Sequence, residues 1–262
     1  MDLHLSGKTA IVTGASKGIG LAVTRALAGE GVRVIAGART AGAELSELTR
    51  QADVRFIAVD LTDPDGPARL VAAAQSAFGG LDILVNNVGA VQPRTAGFLA
   101  VTDEQWASTL TINFLAAVRT TRAALPHLLQ RGAGSIVTVG SVNAVLPDPL
   151  VIDYSAAKAA LASFCKSLSK EVGGRGVRVN TVSPGPVSTG LWLGAGGVAQ
   201  TIARELGGVA GSVAEHAAGE SVLGRFTSPQ EVADLVLLLA SSRTANITGT
   251  DFAVDGGLVS TL

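Results

Sequence analysis

Short apolar runs alternate with longer segments of helical spacing along the whole chain. The runs are rich in β-branched residues, which suits strands that are buried on both faces of a parallel sheet. The segments between them repeat apolar positions every three to four residues, as amphipathic helices do. The pattern predicts seven strands, at residues 8–13, 32–37, 55–59, 81–85, 135–139, 178–182 and 252–254.

Helices are predicted between these strands. One begins with a capping box, in which Thr102 is the N-cap and Gln105 is the third helical residue. Seven strands separated by helices imply a Rossmann-type, doubly wound α/β sheet with helices on both faces, and we expect one domain over residues 1–262. The best-defined helices are predicted at residues 21–28, 67–78, 102 to about 125 and 154–172, with a short one at 198–206.

The composition narrows the set of partners. Of the 262 residues, 47% are hydrophobic and 16% are charged, and the net charge is −1. This balance argues against a nucleic acid or an anionic membrane as a partner, because both attract basic surfaces. One cysteine and three widely separated histidines predict neither a disulfide nor a metal site. The N-terminus lacks the pattern of a signal peptide, so a cytoplasmic protein is expected.

A glycine-rich turn follows the first predicted strand and leads into a helix. Backbone N–H groups at a helix N-terminus carry partial positive charge and suit a pyrophosphate, and glycines let the phosphate approach the backbone. The turn therefore predicts a dinucleotide site, although its Gly-x-x-x-Gly-x-Gly spacing also occurs in plain glycine-rich connections. The residues predicted to contact the cofactor here are Gly14, Ser16, Lys17, Gly18, Ile19 and Gly20.

The end of the second strand indicates which cofactor is used. A carboxylate at this place would hold the ribose hydroxyls of NAD, but the sequence reads Gly37-Ala38-Arg39-Thr40. Arg39 and Lys17 supply two cations, which suit the 2′-phosphate of NADP(H). We therefore expect NADP(H). The alternatives are that Arg39 is a solvated loop residue and that NAD(H) is used.

Polar residues and turns also follow the other strands. Ligands of a doubly wound sheet bind at the carboxyl ends of its strands. We therefore expect Asp60, Asn86, Ser141 and Pro184 to converge with Gly14 on one site, although they are far apart in sequence.

Tyr154 and Lys158 are the residues predicted to handle a proton. Tyr154 is the only tyrosine of the chain, and Lys158 follows one helical turn later on the same face. A neighbouring ammonium favours the phenolate, and the hydroxyl of Ser141 would hold a carbonyl oxygen. This suggests a carbonyl–alcohol interconversion. Tyr-x-x-x-Lys alone is a weak motif, and the alternative is an exposed Tyr and Lys on a helix surface.

Several motifs occur together in one order along the chain. They are Gly14-x-x-x-Gly18-x-Gly20, Asn86-Asn87-Val88-Gly89, Ser141, Tyr154-Ser155-Ala156-Ala157-Lys158 and Pro184-Gly185-Pro186-Val187-Ser188-Thr189. With these motifs the chain resembles the short-chain dehydrogenase/reductase family, in particular its 3-oxoacyl-reductase-like subgroup, over about residues 7–257. Val88 stands where the family commonly has alanine, which is a conservative departure.

The resemblance implies a role for each matching residue. Tyr154 would be the general acid in reduction and the base in oxidation. Lys158 would lower the pKa of Tyr154 and bind the nicotinamide ribose, and Ser141 would hold the substrate oxygen. Asn113 would support a water-linked proton relay; the alternative is a mid-helix residue satisfied by backbone. The remaining cofactor contacts would be Asp60 and Leu61 at the adenine, Asn86 and Gly89 in the ribose region, and Val187 and Thr189 at the nicotinamide, with Pro184 and Gly185 beside them.

The Gly- and Ala-rich segment at about residues 190–224 is predicted to form a substrate lid. Segments this long with little secondary structure often cover a site. Leu191 and Trp192 offer an apolar wall, so we expect a substrate with hydrophobic bulk. The alternative is that Trp192 packs against the body of the protein. Asn143, in the opposite wall at residues 142–152, is a further predicted substrate contact.

The helix of Tyr154 also carries a row of small residues, Ala156, Ala160, Ser163 and Ser167. Small residues let another helix approach closely. Family members often pair this helix between subunits, so the resemblance implies a homotetramer or homodimer. The alternative is packing within one chain.

The predicted function is an NADP(H)-dependent interconversion of a carbonyl and a secondary alcohol in a small molecule. One alternative is a 3-oxoacyl thioester reductase of fatty-acid or polyketide type, for which Arg131 and Arg175 lie near similar positions. An alternative of another class is a non-catalytic NADP(H) sensor. The presence of Ser141, Tyr154, Lys158 and Asn113 together favours the enzyme.

Overall fold

All seven predicted strands are present in one sheet. The computed structural model describes residues 1–260, and every pair of neighbouring strands within that range is parallel. Each strand begins and ends within two residues of its predicted bounds. The strands are β1 Thr9–Thr13, β2 Arg33–Ala38, β3 Val54–Ala58, β4 Ile83–Asn86, β5 Gly134–Val139, β6 Val177–Pro184 and β7 Asp251–Val254.

The order of the strands places a crevice at the centre of the sheet. The order is β3-β2-β1-β4-β5-β6-β7, so the winding reverses between β1 and β4. Ile11 of β1 lies between Ile35 of β2 and Leu84 of β4 in the register of the strands. In sheets of this kind, ligands bind outside the carboxyl ends of the strands where the winding reverses. The doubly wound parallel sheet predicted from the sequence is confirmed.

Ten α-helices lie in the described range, and a π-helical turn at Thr111–Leu115 separates the fourth from the fifth. Of the helices within residues 1–260, none has both the length and the apolarity to cross a membrane. The α-helices are α1 Gly18–Gly29, α2 Ala43–Gln51, α3 Gly66–Phe78, α4 Asp103–Leu110, α5 Ala116–Arg131, α6 Ile152–Val172, α7 Gly190–Leu193, α8 Val198–Leu206, α9 Ala210–Gly219 and α10 Pro229–Ala240.

The helices bury the two faces of the sheet in separate cores. Side chains of a strand alternate between faces, so Ala10 and Val12 of β1 pack in the core that includes α1 and α10. Ile11, between them, packs in the opposite core with residues of α3, α5 and α6. The apolar runs of the strands therefore reflect burial on both sides.

One predicted helix differs from its prediction. The helix expected from residue 102 to about 125 is two helices, α4 and α5, joined by the π turn, and α5 continues to Arg131 through Pro126. The turn beyond the proline buries Leu128 completely, and this burial compensates for the hydrogen bond that proline cannot donate. The capping box of Thr102 and Gln105 is present at the start of α4.

The segment at residues 190–224 contains more regular structure than its pattern indicated. The short helix predicted at 198–206 is α8, with the same bounds. It is flanked by α7 and α9, and α2 and α10 are also additional to the helices predicted individually. The role of this segment as a lid stays a prediction.

Candidate active site

The turn after β1 is closely packed at its glycine positions. Gly14 and Gly18 have φ angles of +67° and +56°, a region that favours glycine. A Cβ on Gly20 would lie 2.2 Å from the carbonyl oxygen of Gly14. The N–H of Ala15 donates to Gly37 O across 3.1 Å, which holds the turn against the end of β2. The turn thus brings the backbone into the crevice at the N-terminus of α1.

Asn87 fastens the chain after β4 to this turn. Its Nδ2 donates to Thr13 O at 2.8 Å and to Gly14 O at 3.3 Å. The hydroxyl of Thr13 accepts from the N–H groups of Asn87 and Val88, at 2.9 and 3.1 Å. Sequence reasoning gave Asn87 no role of its own. Its signal is its position directly after a strand that borders the crevice.

The predicted phosphate-binding cations both face solvent at the same edge. Arg39 directly follows β2, and Lys17 is the N-cap of α1. A Cβ on Gly42 would lie 3.2 Å from Ser16 O, so the loop after β2 runs along the glycine turn. Hydrogen bonds from Thr62, and then the charge of Arg39, lower the pKa of Asp60. Asp60 therefore lies near Arg39 and is ionised.

The residues after β6 close the other side of the turn. A Cβ on Gly18 would lie 3.3 Å from Cγ2 of Thr189, which places the start of the 190–224 segment beside the turn. Val187 is buried and forms an isolated bridge with Thr227. Pro184 ends β6, and a Cβ on the next residue, Gly185, would lie 3.1 Å from Cα of Asp255.

Tyr154, Lys158 and Ser141 are brought together at the end of β5. Tyr154 and Lys158 lie on the first turns of α6, with Nζ of Lys158 5.6 Å from the centroid of the Tyr154 ring. Lys158 is buried, and its Nζ donates to Val139 O at 2.9 Å. The Ser141 hydroxyl donates to Oδ1 of Asn143 at 3.1 Å and accepts from the N–H of Asn143 at 3.2 Å.

Burial shifts the pKa values of both residues on α6 toward their neutral forms. It raises the pKa of Tyr154, and a hydrogen bond with Ser141 opposes the increase. It lowers the pKa of Lys158 to about 8. The charged form of each group loses hydration in this site. Lys158 was expected to lower the pKa of Tyr154, whereas in this structure burial raises that pKa. A lowering by Lys158 itself stays a prediction.

Asn113 lies in the π turn and holds the chain after β4. Its Oδ1 accepts from the N–H of Ala90 at 3.0 Å, and its Nδ2 donates to Ala90 O at 2.9 Å and Thr109 O at 3.0 Å. A Cβ on Gly89 would lie 2.9 Å from Oδ1 of Asn113 and 3.8 Å from Nζ of Lys158. The amide is thus satisfied by backbone, and Gly89 borders Lys158.

Comparison with known proteins gives the chain its family. A family model described as enoyl-(acyl carrier protein) reductase matches residues 14–259. The 3-oxoacyl-(acyl-carrier-protein) reductase of Thermotoga maritima is 32% identical over 98% of this chain and 100% of its own length. That of Vibrio cholerae is 34% identical over 98% and 99% of the two chains. The chain belongs to the short-chain dehydrogenase/reductase family. The resemblance in the sequence motifs is confirmed, and the protein is an oxidoreductase.

A solved structure of another reductase aligns with this chain over its whole length. The L-sorbose reductase of Gluconobacter frateurii, in complex with NADPH and L-sorbose, covers 100% of both chains with a TM-score of 0.91 and 35% identity. This similarity confirms the fold of this short-chain dehydrogenase/reductase.

In the 190–224 segment of this short-chain dehydrogenase/reductase, two leucines are exposed and the tryptophan between them is half-buried. Leu191 and Leu193 are 43% and 52% exposed. Trp192 packs edge to face against Phe226, with ring centroids 5.4 Å apart. Of the two interpretations of Trp192, the structure favours packing against the body of the protein. On the opposite wall, Nδ2 of Asn143 donates to Leu146 O at 3.3 Å.

One buried ion pair beside Tyr154 was missed by sequence reasoning. Arg94 and Asp153 pair although 59 residues separate them. A charge before a helix and a charge in a loop are typical of protein surfaces, so neither residue signalled burial. Among the described residues, no cluster of three or more His, Cys, Asp or Glu side chains is arranged to hold a metal ion.

Proposed function

We propose that the protein is an NADP(H)-dependent enzyme that interconverts a carbonyl and a secondary alcohol through Tyr154, Lys158, Ser141 and Asn113. One observation carries this proposal. The hydroxyl of Ser141 lies close enough to the Tyr154 phenol to oppose the rise of its pKa, and Nζ of Lys158 lies 5.6 Å from the Tyr154 ring, one turn later on the same helix. These residues follow β5, at the same edge of the sheet as the glycine turn after β1. A sensor without catalysis would not need this arrangement.

The chain fits a dinucleotide at the crevice between β1 and β4. The turn after β1 is closely packed at its glycines, and it ends at the first turn of α1, whose N–H groups suit a pyrophosphate. Within the described structure, the side chain of the N-cap residue Lys17 forms no capping hydrogen bond with these N–H groups. On the nicotinamide side, Val187 and Thr189 would contact the cofactor, and Asp60 and Leu61 would contact the adenine.

The exposed cations favour NADP(H) over NAD(H). Arg39 would bind the 2′-phosphate from the end of β2, and Lys17 would add a second cation from the glycine turn. Asp60 is the nearby acid, but hydrogen bonds from Thr62 at 2.8 and 2.9 Å engage its carboxylate. The NADPH in the L-sorbose reductase structure supports this choice.

In the reductive direction, bound NADPH supplies the hydride, and the chain's own residues manage the oxygen. Ser141 would donate a hydrogen bond to the carbonyl oxygen, and Tyr154 would transfer its proton to the same oxygen as negative charge develops there. The raised pKa of Tyr154 keeps the phenol protonated before the reaction. Lys158 would hold the nicotinamide ribose and favour the phenolate once the proton has left.

The substrate is proposed to have hydrophobic bulk. Val145 and Leu146, after Ser141, are 69% and 44% exposed, and Leu191 and Leu193, after β6, are 43% and 52% exposed. Two of the compared reductases are named for 3-oxoacyl thioesters on a carrier protein and one for a sugar, so they suggest different substrates. A 3-oxoacyl thioester is the alternative that the exposed leucines favour.

Assembly into a homodimer or homotetramer is proposed from the face of α6. Ala156, Ser163 and Ser167 are exposed, and Ala160 is half-buried. Packing within the described chain therefore does not cover this row, which leaves it open to a second copy. The mass in solution, measured by light scattering, tests this. A cytoplasmic location stays a prediction.

The Tyr154→Phe variant tests the proposed chemistry. It removes only the hydroxyl, so we expect turnover to fall by at least a thousandfold while the affinity for NADPH, measured by fluorescence titration, stays within threefold. The assay follows NADPH absorbance with L-sorbose, an acetoacetyl thioester and an enoyl thioester. Turnover in the variant equal to that of the wild type would exclude Tyr154 as the acid.

A further inference from the structure

A buried ion pair lies directly before Tyr154. Asp153 is 1% exposed and Arg94 is 8% exposed. Nε of Arg94 donates to Oδ2 of Asp153 at 3.0 Å, and Nη2 of Arg94 donates to the same oxygen. The hydroxyl of Thr109 also donates to Oδ2, at 2.7 Å. The other carboxylate oxygen, Oδ1, accepts from the N–H of Tyr154 at 3.0 Å.

The carboxylate of Asp153 is charged in this environment. Burial alone would raise its pKa, but hydrogen bonds from Arg94 and Thr109 and the charge of Arg94 hold the pKa below its ordinary value. Burying two charges is costly, and a well-packed apolar pair of similar size often gives equal or greater stability. The stability of the fold therefore does not explain the presence of this pair.

The pair joins three parts of the site. Arg94 lies in the loop after β4, where its N–H also donates to Leu150 O at 2.6 Å. Thr109 lies in α4, and its carbonyl oxygen accepts from the Asn113 amide that holds Ala90. The loop is thus fixed at Ala90 by the π turn and at Arg94 by Asp153. The network ends at the backbone of Tyr154.

We propose that Arg94 and Asp153 are positioning residues. They fix the first turn of α6, so that the Tyr154 hydroxyl stays next to the Ser141 hydroxyl. The inference rests on the proposed function of Tyr154. Neither charged group is exposed enough to bind substrate, so each acts through the helix. A displacement of about 1 Å at a reacting group lowers a rate by about a hundredfold, and a multiply hydrogen-bonded carboxylate restricts such displacement more than apolar contacts do.

The double variant Arg94→Met/Asp153→Leu separates positioning from stability. It replaces both charges with apolar groups of similar size, so we expect a thermal midpoint within a few degrees of the wild type. We expect kcat to fall at least tenfold with the better of L-sorbose and an acetoacetyl thioester, while the KM for NADPH stays within twofold. The single variant Arg94→Met leaves a buried carboxylate unpaired, and should lose both stability and kcat.

The exposed pair of Arg25 and Glu44, 2.9 Å apart, provides a matched control. Arg25→Met/Glu44→Gln should leave kcat unchanged. A folded Arg94→Met/Asp153→Leu enzyme with kcat within twofold of the wild type would overturn the inference. If the double variant does not fold, Thr109→Val decides, since it removes one hydrogen bond to Asp153 and retains the ion pair. A threefold or greater fall in its kcat at an unchanged thermal midpoint supports positioning, and an unchanged kcat refutes it.

The Tyr154→Phe result distinguishes the two proposals. If Tyr154→Phe is inactive and the apolar double variant is fully active, only the positioning role fails. If Tyr154→Phe turns over normally, the proposed function fails, and the positioning role fails with it.

Discussion

Replacing Lys158 should make the protein more stable while removing its activity. Burial lowers the pKa of this lysine from 10.5 to about 8. One pKa unit corresponds to about 1.4 kcal/mol, so keeping the ammonium in the folded state costs about 3 kcal/mol at pH 7. Lys158→Met removes this cost and loses a hydrogen bond to Val139 O, worth about 1 kcal/mol. We expect its free energy of unfolding at pH 7 to exceed that of the wild type by about 2 kcal/mol.

The pH dependence gives the sharper test. The folded wild type releases the Lys158 proton near pH 8, whereas the unfolded chain keeps it up to about pH 10.5. Between these values the unfolded state binds more protons, so the free energy of unfolding rises with pH through this residue. Lys158→Met lacks that contribution, and its advantage in free energy of unfolding should decline by roughly 2.5 kcal/mol between pH 7 and pH 10.

Urea unfolding at pH 7, 8, 9 and 10, followed by tryptophan fluorescence, measures both quantities. Cys165, whose pKa burial raises, contributes to the pH dependence of both proteins and so largely cancels in their difference. Lys170→Met, at an exposed position of the same helix, should follow the wild type throughout. Equal pH slopes for wild type and Lys158→Met would refute the buried-charge argument, whatever their difference at pH 7.

Two further predictions concern the cofactor. Gly20→Ala places a Cβ 2.2 Å from Gly14 O, so NADPH affinity in a fluorescence titration should fall at least tenfold. The control is Gly29→Ala, whose Cβ would meet nothing within 4 Å. Equal NADPH affinities of the two variants would contradict the close packing of the turn. Arg39→Asp should lower the ratio of kcat/KM for NADPH to kcat/KM for NADH at least tenfold, because it replaces the proposed 2′-phosphate ligand by an acid that suits the ribose hydroxyls. An unchanged ratio would show that Arg39 is a solvated loop residue.

The parts of this protein that were predictable are those with local signals. Buried parallel strands need continuous β-branched runs, and a turn as tight as Gly14–Gly20 needs glycine, so both leave a mark in one stretch of sequence. The capping box at Thr102 is equally local. The placement of Gly14, Asn86 and Ser141 at one edge of the sheet followed from a topological rule, that strand ends of a doubly wound sheet meet at one edge.

The π turn illustrates what a periodic pattern does not contain. The spacing is helical on both sides of the turn, so the segment from residue 102 onward reads as one helix, although the extra residue of a π turn rotates the apolar face by about 100°. The turn places Asn113 where its amide binds both backbone groups of Ala90, and that contact spans 23 residues. Tertiary contacts of this kind determine the geometry, while the local pattern remains helical.

Burial of charge is the other property that the sequence did not reveal, and it bears directly on function. Lys158 and Asp153 are two charged residues of one helix, both less than 4% exposed, whereas Lys166 and Lys170 on the same helix are exposed. Only the fold distinguishes them, because the first turns of α6 enter the site and the later turns leave it. A buried charge reduces stability unless it is paired, and here the two charges are held differently. Asp153 is neutralised by Arg94, whereas Lys158 has only a carbonyl oxygen as its hydrogen-bond partner within the described chain. The charge of Lys158 is therefore not neutralised within the chain and can act on a bound group. The same buried charge lowers the free energy of unfolding, and Lys158→Met should restore that stability.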